Sequence, residues 1–176
     1  MNTKQIGAGL CVIGAALCVI PWIIENVQTP AEYYGASSVG DAGMHATISI
    51  DCSRVYGAWS QLDPALQTGD YFPADGLILP EEQVPFTEGD TVFDVLEQVT
   101  RQHQIQMEYQ STGASDVYVQ GISYLYEFSC GPQSGWIYLV NGTAADRGCG
   151  AYTLSDGDVI EWRYIVSEAQ WQEAGI

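Results

Sequence analysis

Aromatic side chains are concentrated in one stretch of this sequence. Five of them fall within fifteen residues: Tyr124, Tyr126, Phe128, Trp136 and Tyr138. Flat rings with polar tips suit contact with a flat, partly polar ligand or with a partner protein. The following loop adds an amide side chain and exposed backbone groups at Asn141 and Gly142. We therefore predict a ligand-binding edge formed by Trp136, Tyr138, Asn141, Gly142, Tyr124 and Tyr126.

The same residues also have a purely structural interpretation. Aromatic residues are favoured in strands, where alternate side chains face the core. The dipeptide Asn141-Gly142 is typical of a tight hairpin turn with positive φ. Further along, Ile160, Trp162 and Tyr164 alternate in a strand pattern, and we predict that these three are core. The sequence leaves open how many of the other rings face outward.

Titratable residues form no pattern typical of a catalytic or metal site. His45 and His103 are the only histidines, and His103 continues the apolar face of a predicted helix. The segment Asp156-Gly157-Asp158 lacks the full ligand series of a calcium loop and indicates a turn. A hydrolase would need paired carboxylates in a cleft, and no such pair is evident. We predict that the protein is not an enzyme and has no metal site.

Three cysteines lie beyond the N-terminal segment: Cys52, Cys130 and Cys149. Cys130 and Cys149 bracket the segment Trp136–Gly142, and a disulfide between them would fasten that segment to its turn. Closing a loop of this length is worth about 3 kcal/mol on the chain-entropy model. Cys52 would then remain, either as a buried thiol or as a nucleophile, and no protease pattern accompanies it.

Charge and hydropathy restrict the partners and the compartment. The chain has 22 Asp and Glu against 5 Lys and Arg, a net charge of −17, which excludes nucleic-acid binding as a function. The run Ile6–Ile24 is uncharged and lies between Lys4 and Glu25. It is long enough to span a bilayer, and the positive-inside rule places the rest of the chain outside the cell. A cleaved signal peptide is the alternative, with the same extracytoplasmic location.

The organisation predicted from these patterns is simple. Residues 1–27 form a signal anchor or transmembrane segment, and residues 28–43 form a flexible tether rich in Gly, Ala, Ser and Pro. Residues 44–168 form one domain, and residues 169–176 form a tail.

Within the domain, the apolar periodicity predicts one main helix and several strands. The helix begins at Thr91, whose side chain and that of Asp94 are spaced as a capping box. The alternation of His45–Asp51 predicts a half-buried strand. Short strands are predicted at Gly76–Leu79 and at Val84–Phe86, where Pro85 favours a sheet edge. Later strands are predicted at Ile105–Tyr109, Val117–Ile122, Leu125–Phe128, Trp136–Val140 and Val159–Ile165. One helix on a mixed sheet is an α+β fold.

Four sequence blocks together resemble the transcobalamin C-terminal-like domain, a family found on surface and secreted proteins of Gram-positive bacteria. The blocks are TVFDVL (Thr91–Leu96), GI-x-x-LYEF-x-CG (Gly121–Gly131), SGW-x-Y-x-VNG (Ser134–Gly142) and Y-x-L-x-DGD-x-IEW-x-Y (Tyr152–Tyr164). The resemblance implies a β-grasp-like mixed sheet packed by one main helix. In cobalamin carriers this domain forms a lid over the corrinoid, and a separate helical domain supplies the rest of the site; we expect no such domain within these 176 residues.

Two functions follow as expectations. The first is a non-catalytic, membrane-tethered module that binds a flat small molecule, with a corrinoid such as cobalamin as the candidate ligand. A transporter or a second binding domain would then complete the site. The alternative is a cell-surface module that binds a protein or a glycan without a small-molecule ligand.

Overall fold

The computed structural model describes residues 43–68, 71–113 and 115–175. Eight strands are found in these residues: β1 (Met44–Asp51), β2 (Leu77–Phe86), β3 (Met107–Gly113), β4 (Asp116–Ile122), β5 (Leu125–Tyr126), β6 (Gly135–Val140), β7 (Thr143–Ala144) and β8 (Val159–Ile165). Two α-helices accompany them, α1 (Val92–Gln102) and α2 (Glu168–Ala174). The segments Ser53–Gln61, Pro64–Leu66 and Cys149–Ala151 are 3-10 helical. The predicted anchor and nearly all of the predicted tether lie outside the described residues.

The strands form two sheets, so the predicted α+β class is confirmed. The larger sheet has the order β2-β1-β8-β6-β7 and the smaller one has the order β3-β4-β5. In the larger sheet β1 and β8 are parallel, whereas β1 pairs with β2 and β6 pairs with β8 in antiparallel fashion. The sequence predicted the strands β3 and β4 but not their separation into a second sheet.

The core lies between α1 and the larger sheet. Ile48 and Ile50 of β1 and Ile160 of β8 are fully buried, together with Leu96 and Val99 of α1. The β1 alternation predicted this burial because successive strand side chains point to opposite faces. The predicted core positions Trp162 and Tyr164 are also confirmed, with 3% and 0% of their surfaces exposed.

Local sequence signals explain the start of α1. The Thr91 hydroxyl accepts a hydrogen bond from the Asp94 backbone N–H, and the Asp94 carboxylate accepts one from the Thr91 backbone N–H. This reciprocal pairing is the capping box predicted from the spacing. At the helix end, His103 is exposed and its Nε2 lies 2.7 Å from the Glu82 carboxylate. His103 was predicted at the edge of the packed face, and it contacts the edge strand β2 there without entering the core.

The strand β2 departs from expectation. The sequence predicted two short strands, Gly76–Leu79 and Val84–Phe86, but one strand of ten residues runs from Leu77 to Phe86. It tolerates Pro80 and Pro85 because it is the edge of the sheet, where a missing backbone N–H can face outward. Two register shifts in its pairing with β1 absorb the remaining irregularity.

No helix in the described residues is both long and apolar enough to cross a membrane. In the segment predicted as a tail, α2 packs Trp171 and Ala174 against Ile137, Leu139 and Ile165 of the larger sheet. This small cluster covers the face of the sheet that does not contact α1.

Candidate functional site

The clearest candidate site is an exposed group of aromatic residues around β4 and β5. We call Tyr71, Tyr118, Tyr124, Tyr126 and Phe128 the β4–β5 aromatic surface. Tyr124 is 51% exposed, Phe128 61% and Tyr118 54%. The rings of Tyr71 and Tyr124 meet edge to face with centroids 5.6 Å apart, although the two residues are distant in sequence. Large exposed aromatic groups of this kind mark interaction sites more often than isolated apolar residues do.

The backbone holds two of these rings outward in an uncommon conformation. Tyr124 has a φ of 64° and Phe128 a φ of 65°, in the left-handed region that costs a residue with a Cβ about 1–2 kcal/mol. Ser123 has a φ of 52°, so Ser123 and Tyr124 form a two-residue hairpin turn between β4 and β5. Glycine or asparagine is usual in such turns, so a tyrosine at this position is an uncommon choice.

Gln106 accepts two hydrogen bonds from the backbone of this turn. The Ser123 backbone N–H donates to the Gln106 carbonyl at 2.7 Å, and the Tyr124 backbone N–H donates to the Gln106 side-chain oxygen at 2.7 Å. The amide nitrogen of the same side chain donates to the Tyr126 hydroxyl at 3.0 Å. Gln106 therefore fixes the positions of both tyrosines.

Carboxylates accept hydrogen bonds from two phenols of the surface. The Tyr126 hydroxyl donates to Glu108 at 2.9 Å, and the Tyr118 hydroxyl donates to Glu127. The bond to Glu108 is the main reason that the pKa of Tyr126 is raised. Burial and then the bond to Glu127 raise the pKa of Tyr118 to about 12. Both phenols are neutral at physiological pH, so the surface offers aromatic faces rimmed by hydrogen-bond acceptors.

Trp136, predicted at the ligand edge, lies directly behind this surface. Its indole N–H donates to the carbonyl of Leu125 at 2.7 Å. Leu125 lies in sequence between Tyr124 of the turn and Tyr126 of β5. Its ring packs edge to face on Tyr164, with centroids 5.2 Å apart. Trp136 is half-buried and connects the core to the backbone that carries Tyr124 and Tyr126.

The other predicted residues lie elsewhere. Tyr138 is only 8% exposed, and its hydroxyl donates to the Arg147 carbonyl at 2.7 Å. Burial raises its pKa above the ordinary range for tyrosine. Asn141 and Gly142 form the turn between β6 and β7, both with positive φ, about 17 Å along the strand from Trp136 at the usual rise per residue. The structure thus brings Tyr124, Tyr126 and Trp136 together and separates Asn141 and Gly142 from them.

The amide of Asn141 is occupied by the fold itself. Its nitrogen donates to the Asp158 carboxylate at 2.8 Å, and its oxygen accepts from the Val159 backbone N–H at 3.0 Å. Asp158 also accepts from the Ser155 backbone N–H at 2.9 Å, and Gly157 has a φ of 84°. The turn that the sequence predicted at Asp156-Gly157-Asp158 is confirmed.

Sequence reasoning missed several members of the surface. Tyr118 could have been found, because it alternates with the buried Val117 and Val119 and so must face the other side of β4. Tyr71 gave no signal, since it follows an irregular excursion of the chain and reaches Tyr124 only in the folded domain. Gln106 and Glu108 were likewise not recognised as partners of Tyr126.

Two open grooves are also present in the described part of the chain. One of about 400 Å³ lies between α1 and β3, and Gln106 is common to it and to the network beneath the aromatic surface. The other, of about 280 Å³, is polar and is lined by Arg147, Tyr152 and Asp158 among others. The guanidinium carbon of Arg147 lies 5.5 Å from the centre of the Tyr152 ring.

The predicted disulfide between Cys130 and Cys149 is wrong. Cys52, Cys130 and Cys149 are all free and buried. Cys130 packs in a cluster with Cys52, Leu125 and Tyr164, whereas Cys149 belongs to the main core, and its thiol lies 3.7 Å from the Val117 carbonyl. Although both cysteines flank β6 in the sequence, their thiols pack in different clusters of the fold. Burial raises the pKa of Cys52 to about 12 and that of Cys130 and Cys149 to about 11.

Among the described residues, no group of three or more His, Cys, Asp or Glu side chains is arranged to hold a metal ion. The histidines have other contacts, since His103 faces Glu82 and the backbone N–H of His45 donates to Asp156 at 2.8 Å.

Comparison with known proteins gives a family match for part of the chain. Residues 89–165 match the family described as Domain of unknown function (DUF4430). The match covers less than half of the 176 residues but contains all four sequence blocks noted above. It also contains every residue of the aromatic surface except Tyr71. A comparison with curated proteins finds no match.

Two solved structures are similar to part of this chain. One is haptocorrin in complex with Cbi, with 16% identity over 70% of this chain and a TM-score of 0.46. The chain spans about a quarter of that protein, 25% of its length. The other is a protein from Ruminococcus gnavus that is provisionally described as metal-binding, with 15% identity, a TM-score of 0.42, and coverage of 70% of this chain and 98% of that one. At these TM-scores neither neighbour carries an argument about a ligand.

Proposed function

We propose that the described domain is a non-catalytic binding module whose ligand contacts the β4–β5 aromatic surface. One observation carries the proposal: Phe128 and Tyr124, two of its most exposed aromatic residues, both have left-handed backbone conformations. Positive φ is unfavourable for a residue with a Cβ, and such strained positions cluster at ligand-contacting and active sites. The energetic cost is explained if a ligand uses the rings.

The non-catalytic part of the proposal rests on the chemistry of the site. The tyrosines with perturbed pKa values in this surface are shifted upward, towards the neutral phenol. A catalytic base or nucleophile requires the opposite tendency, or a base within reach that activates it. The carboxylates Glu108 and Glu127 instead accept hydrogen bonds from phenols.

A flat small molecule is the ligand class that we propose first, with a corrinoid such as cobalamin as the specific candidate. Aromatic rings rimmed by hydrogen-bond acceptors suit a flat ligand that carries amide donors. The corrinoid itself is suggested by the resemblance of the four sequence blocks to the transcobalamin C-terminal-like domain. The strand order β2-β1-β8-β6 with its parallel central pair supports the β-grasp-like fold that this resemblance implies.

The site as described is open to solvent on one side. We therefore propose that a second binding domain or a transporter covers the ligand. We also propose an extracytoplasmic location, with the uncharged run Ile6–Ile24 as the membrane anchor.

A second candidate is a surface module that binds a protein or a glycan directly. It is favoured by the polar rim of the aromatic surface, where Gln106, Glu108 and Glu127 surround the rings. An apolar centre with such a rim is common to protein interfaces.

Titration calorimetry of the full chain with cobalamin and with cobinamide tests the first proposal. We expect binding by the unaltered chain and at least tenfold weaker binding by Tyr124→Ala and Phe128→Ala. Tyr109→Ala is the matched control, because Tyr109 is 40% exposed but contacts Phe93 of α1 on the opposite face of the smaller sheet. No heat with either corrinoid would refute the corrinoid ligand. Equal affinities in all three variants would refute the assignment of the surface.

A further inference from the structure

The exposed edges of the two sheets differ in how they are protected. The edge strand β2 contains Pro80 and Pro85, and the edge strands β5 and β7 have only two residues each. The strand β3 has seven residues, all exposed from Glu108 onward, and contains neither proline nor lysine. Natural sheets usually block edges with such residues because unpaired backbone groups recruit other strands. Among the strands described, β3 is the long edge without this protection.

The pairing of β3 with β4 keeps its free edge regular. One register shift places the extra residue Gln120 on β4, and the other places Thr112 near the end of β3. The segment Met107–Ser111 therefore runs without interruption. Within the described residues, its backbone makes no hydrogen bond outside the ladder with β4, so alternate N–H and C=O groups are available on the outer edge.

A groove of about 400 Å³ accompanies this edge. Glu97, Thr100 and Arg101 of α1 form one wall, and the other is formed by Ile105 to Met107 and Tyr109. The Tyr109 ring packs against Phe93 with centroids 4.7 Å apart, which holds β3 alongside the helix. An edge strand beside a helix offers backbone pairing and a groove for alternate side chains, the two elements of recognition by strand addition.

Charge identifies the kind of strand that fits. Residues 105–122, which include the β3–β4 hairpin, carry Glu108 and Asp116 and no lysine or arginine. In the wall of the groove, Arg101 is paired with Glu97 at 2.7 Å, so the described lining of the groove presents no unpaired cation. The whole chain has a net charge of −17, so a second copy would be repelled, whereas a basic segment would be attracted. We propose that β3 and its groove bind an extended, basic segment of a partner protein as an added β-strand.

The test uses the full chain and two synthetic peptides of equal charge. The probe alternates four lysines with three valines, and the control replaces each valine by proline, which cannot pair as a strand. We expect backbone amide NMR shifts concentrated at residues 105–111 with the probe. We also expect at least tenfold weaker binding of the control. Shifts spread over the acidic surface, or equal affinity for both peptides, would overturn the proposal.

Two variants locate the contact on the backbone. Successive backbone N–H groups of a strand point to opposite edges. Of the two variants Gln110→Pro and Ser111→Pro, one therefore removes an N–H on the free outer edge and the other removes an N–H that faces β4. The variant that keeps the unaltered melting temperature has lost the outer N–H, and it should bind the probe at least tenfold less. Unchanged binding by that variant would overturn the proposal. If both variants unfold, the NMR shifts of the unaltered chain with the probe decide whether the peptide binds at β3. Sedimentation of the free chain as a dimer that β3 substitutions abolish would assign the edge to a second copy instead.

Discussion

The contact between Gly121 and Tyr126 allows a quantitative test of how the aromatic surface is built. Gly121 of β4 pairs with Tyr126 of β5, and the tyrosine ring lies directly over the glycine. A Cβ at Gly121 would stand 2.6 Å from Cδ1 and 2.8 Å from Cε1 of that ring. These distances are shorter than carbon atoms tolerate, so Gly121→Ala must displace the ring.

The expected cost follows from the contacts that the ring would lose. The Tyr126 hydroxyl donates to Glu108 at 2.9 Å and accepts from the Gln106 amide nitrogen at 3.0 Å, and each bond is worth about 1 kcal/mol net. Overpacking strain would add about 1 kcal/mol or more only if the ring could not move away from the added Cβ. Since Tyr126 is only half-buried and its ring can move towards solvent, we expect Gly121→Ala to lower the free energy of unfolding by about 2 kcal/mol.

Urea unfolding of four proteins measures this effect: the unaltered chain, Gly121→Ala, Tyr126→Ala and the double variant. With Tyr126 truncated, the added Cβ meets no ring, so Gly121→Ala should cost little in that background, and the coupling energy should be about 2 kcal/mol. Gly57→Ala is the control, because a Cβ there meets nothing within 4 Å. An unfolding free energy for Gly121→Ala equal to that of the control, or additive effects in the double variant, would refute the packing described here.

Three further predictions concern stability and the thiols. Thr91→Ala removes half of the capping box and should cost about 1 kcal/mol in urea unfolding; an unchanged midpoint would contradict that role. Burial raises the pKa of Tyr164 to about 12 against about 10 in the unfolded chain, so the unfolded state loses its proton first and stability falls as pH rises from 10 to 12. Tyr164→Phe should lose less stability between pH 8 and pH 11, which urea midpoints at the two values measure. At pH 8 iodoacetamide should leave Cys52, Cys130 and Cys149 unmodified in the folded protein and alkylate them in urea, as peptide mass mapping can show. A peptide linked through Cys130 and Cys149 would contradict the structure.

The elements that the sequence predicted correctly depend on interactions within a few residues. The Thr91 and Asp94 side chains cap α1 across three positions, and the alternation around Ile48 and Ile50 requires only that one face of β1 be buried. The turn at Gly157 is equally local. In each case the interacting groups are neighbours along the chain, so their spacing is sufficient information.

The errors arose where partners are distant in sequence. Cys130 was paired with Cys149 because both flank β6, but Cys130 packs with Cys52 across 78 positions of the chain. The periodicity of α1 placed His103 at the edge of the packed face but gave no sign of its partner, Glu82 of β2. Tyr124 and Tyr126 were predicted at the ligand-binding edge from their residue type. Nothing in their spacing indicated that the ring of Tyr71 would contact that of Tyr124.

The sequence by itself determined that this chain is strongly acidic, contains an α+β domain and is rich in aromatic residues between β4 and β6. These properties follow from composition and from local periodicity. Only the tertiary structure decided which of these rings are exposed. Trp136, Tyr138 and Tyr124 belong to the same aromatic-rich stretch of the sequence. In the structure Trp136 packs on Tyr164 and Tyr138 is buried, whereas Tyr124 is exposed in a turn with positive φ. The physical reason is that exposure depends on what covers a side chain, and the covering residues come from other strands.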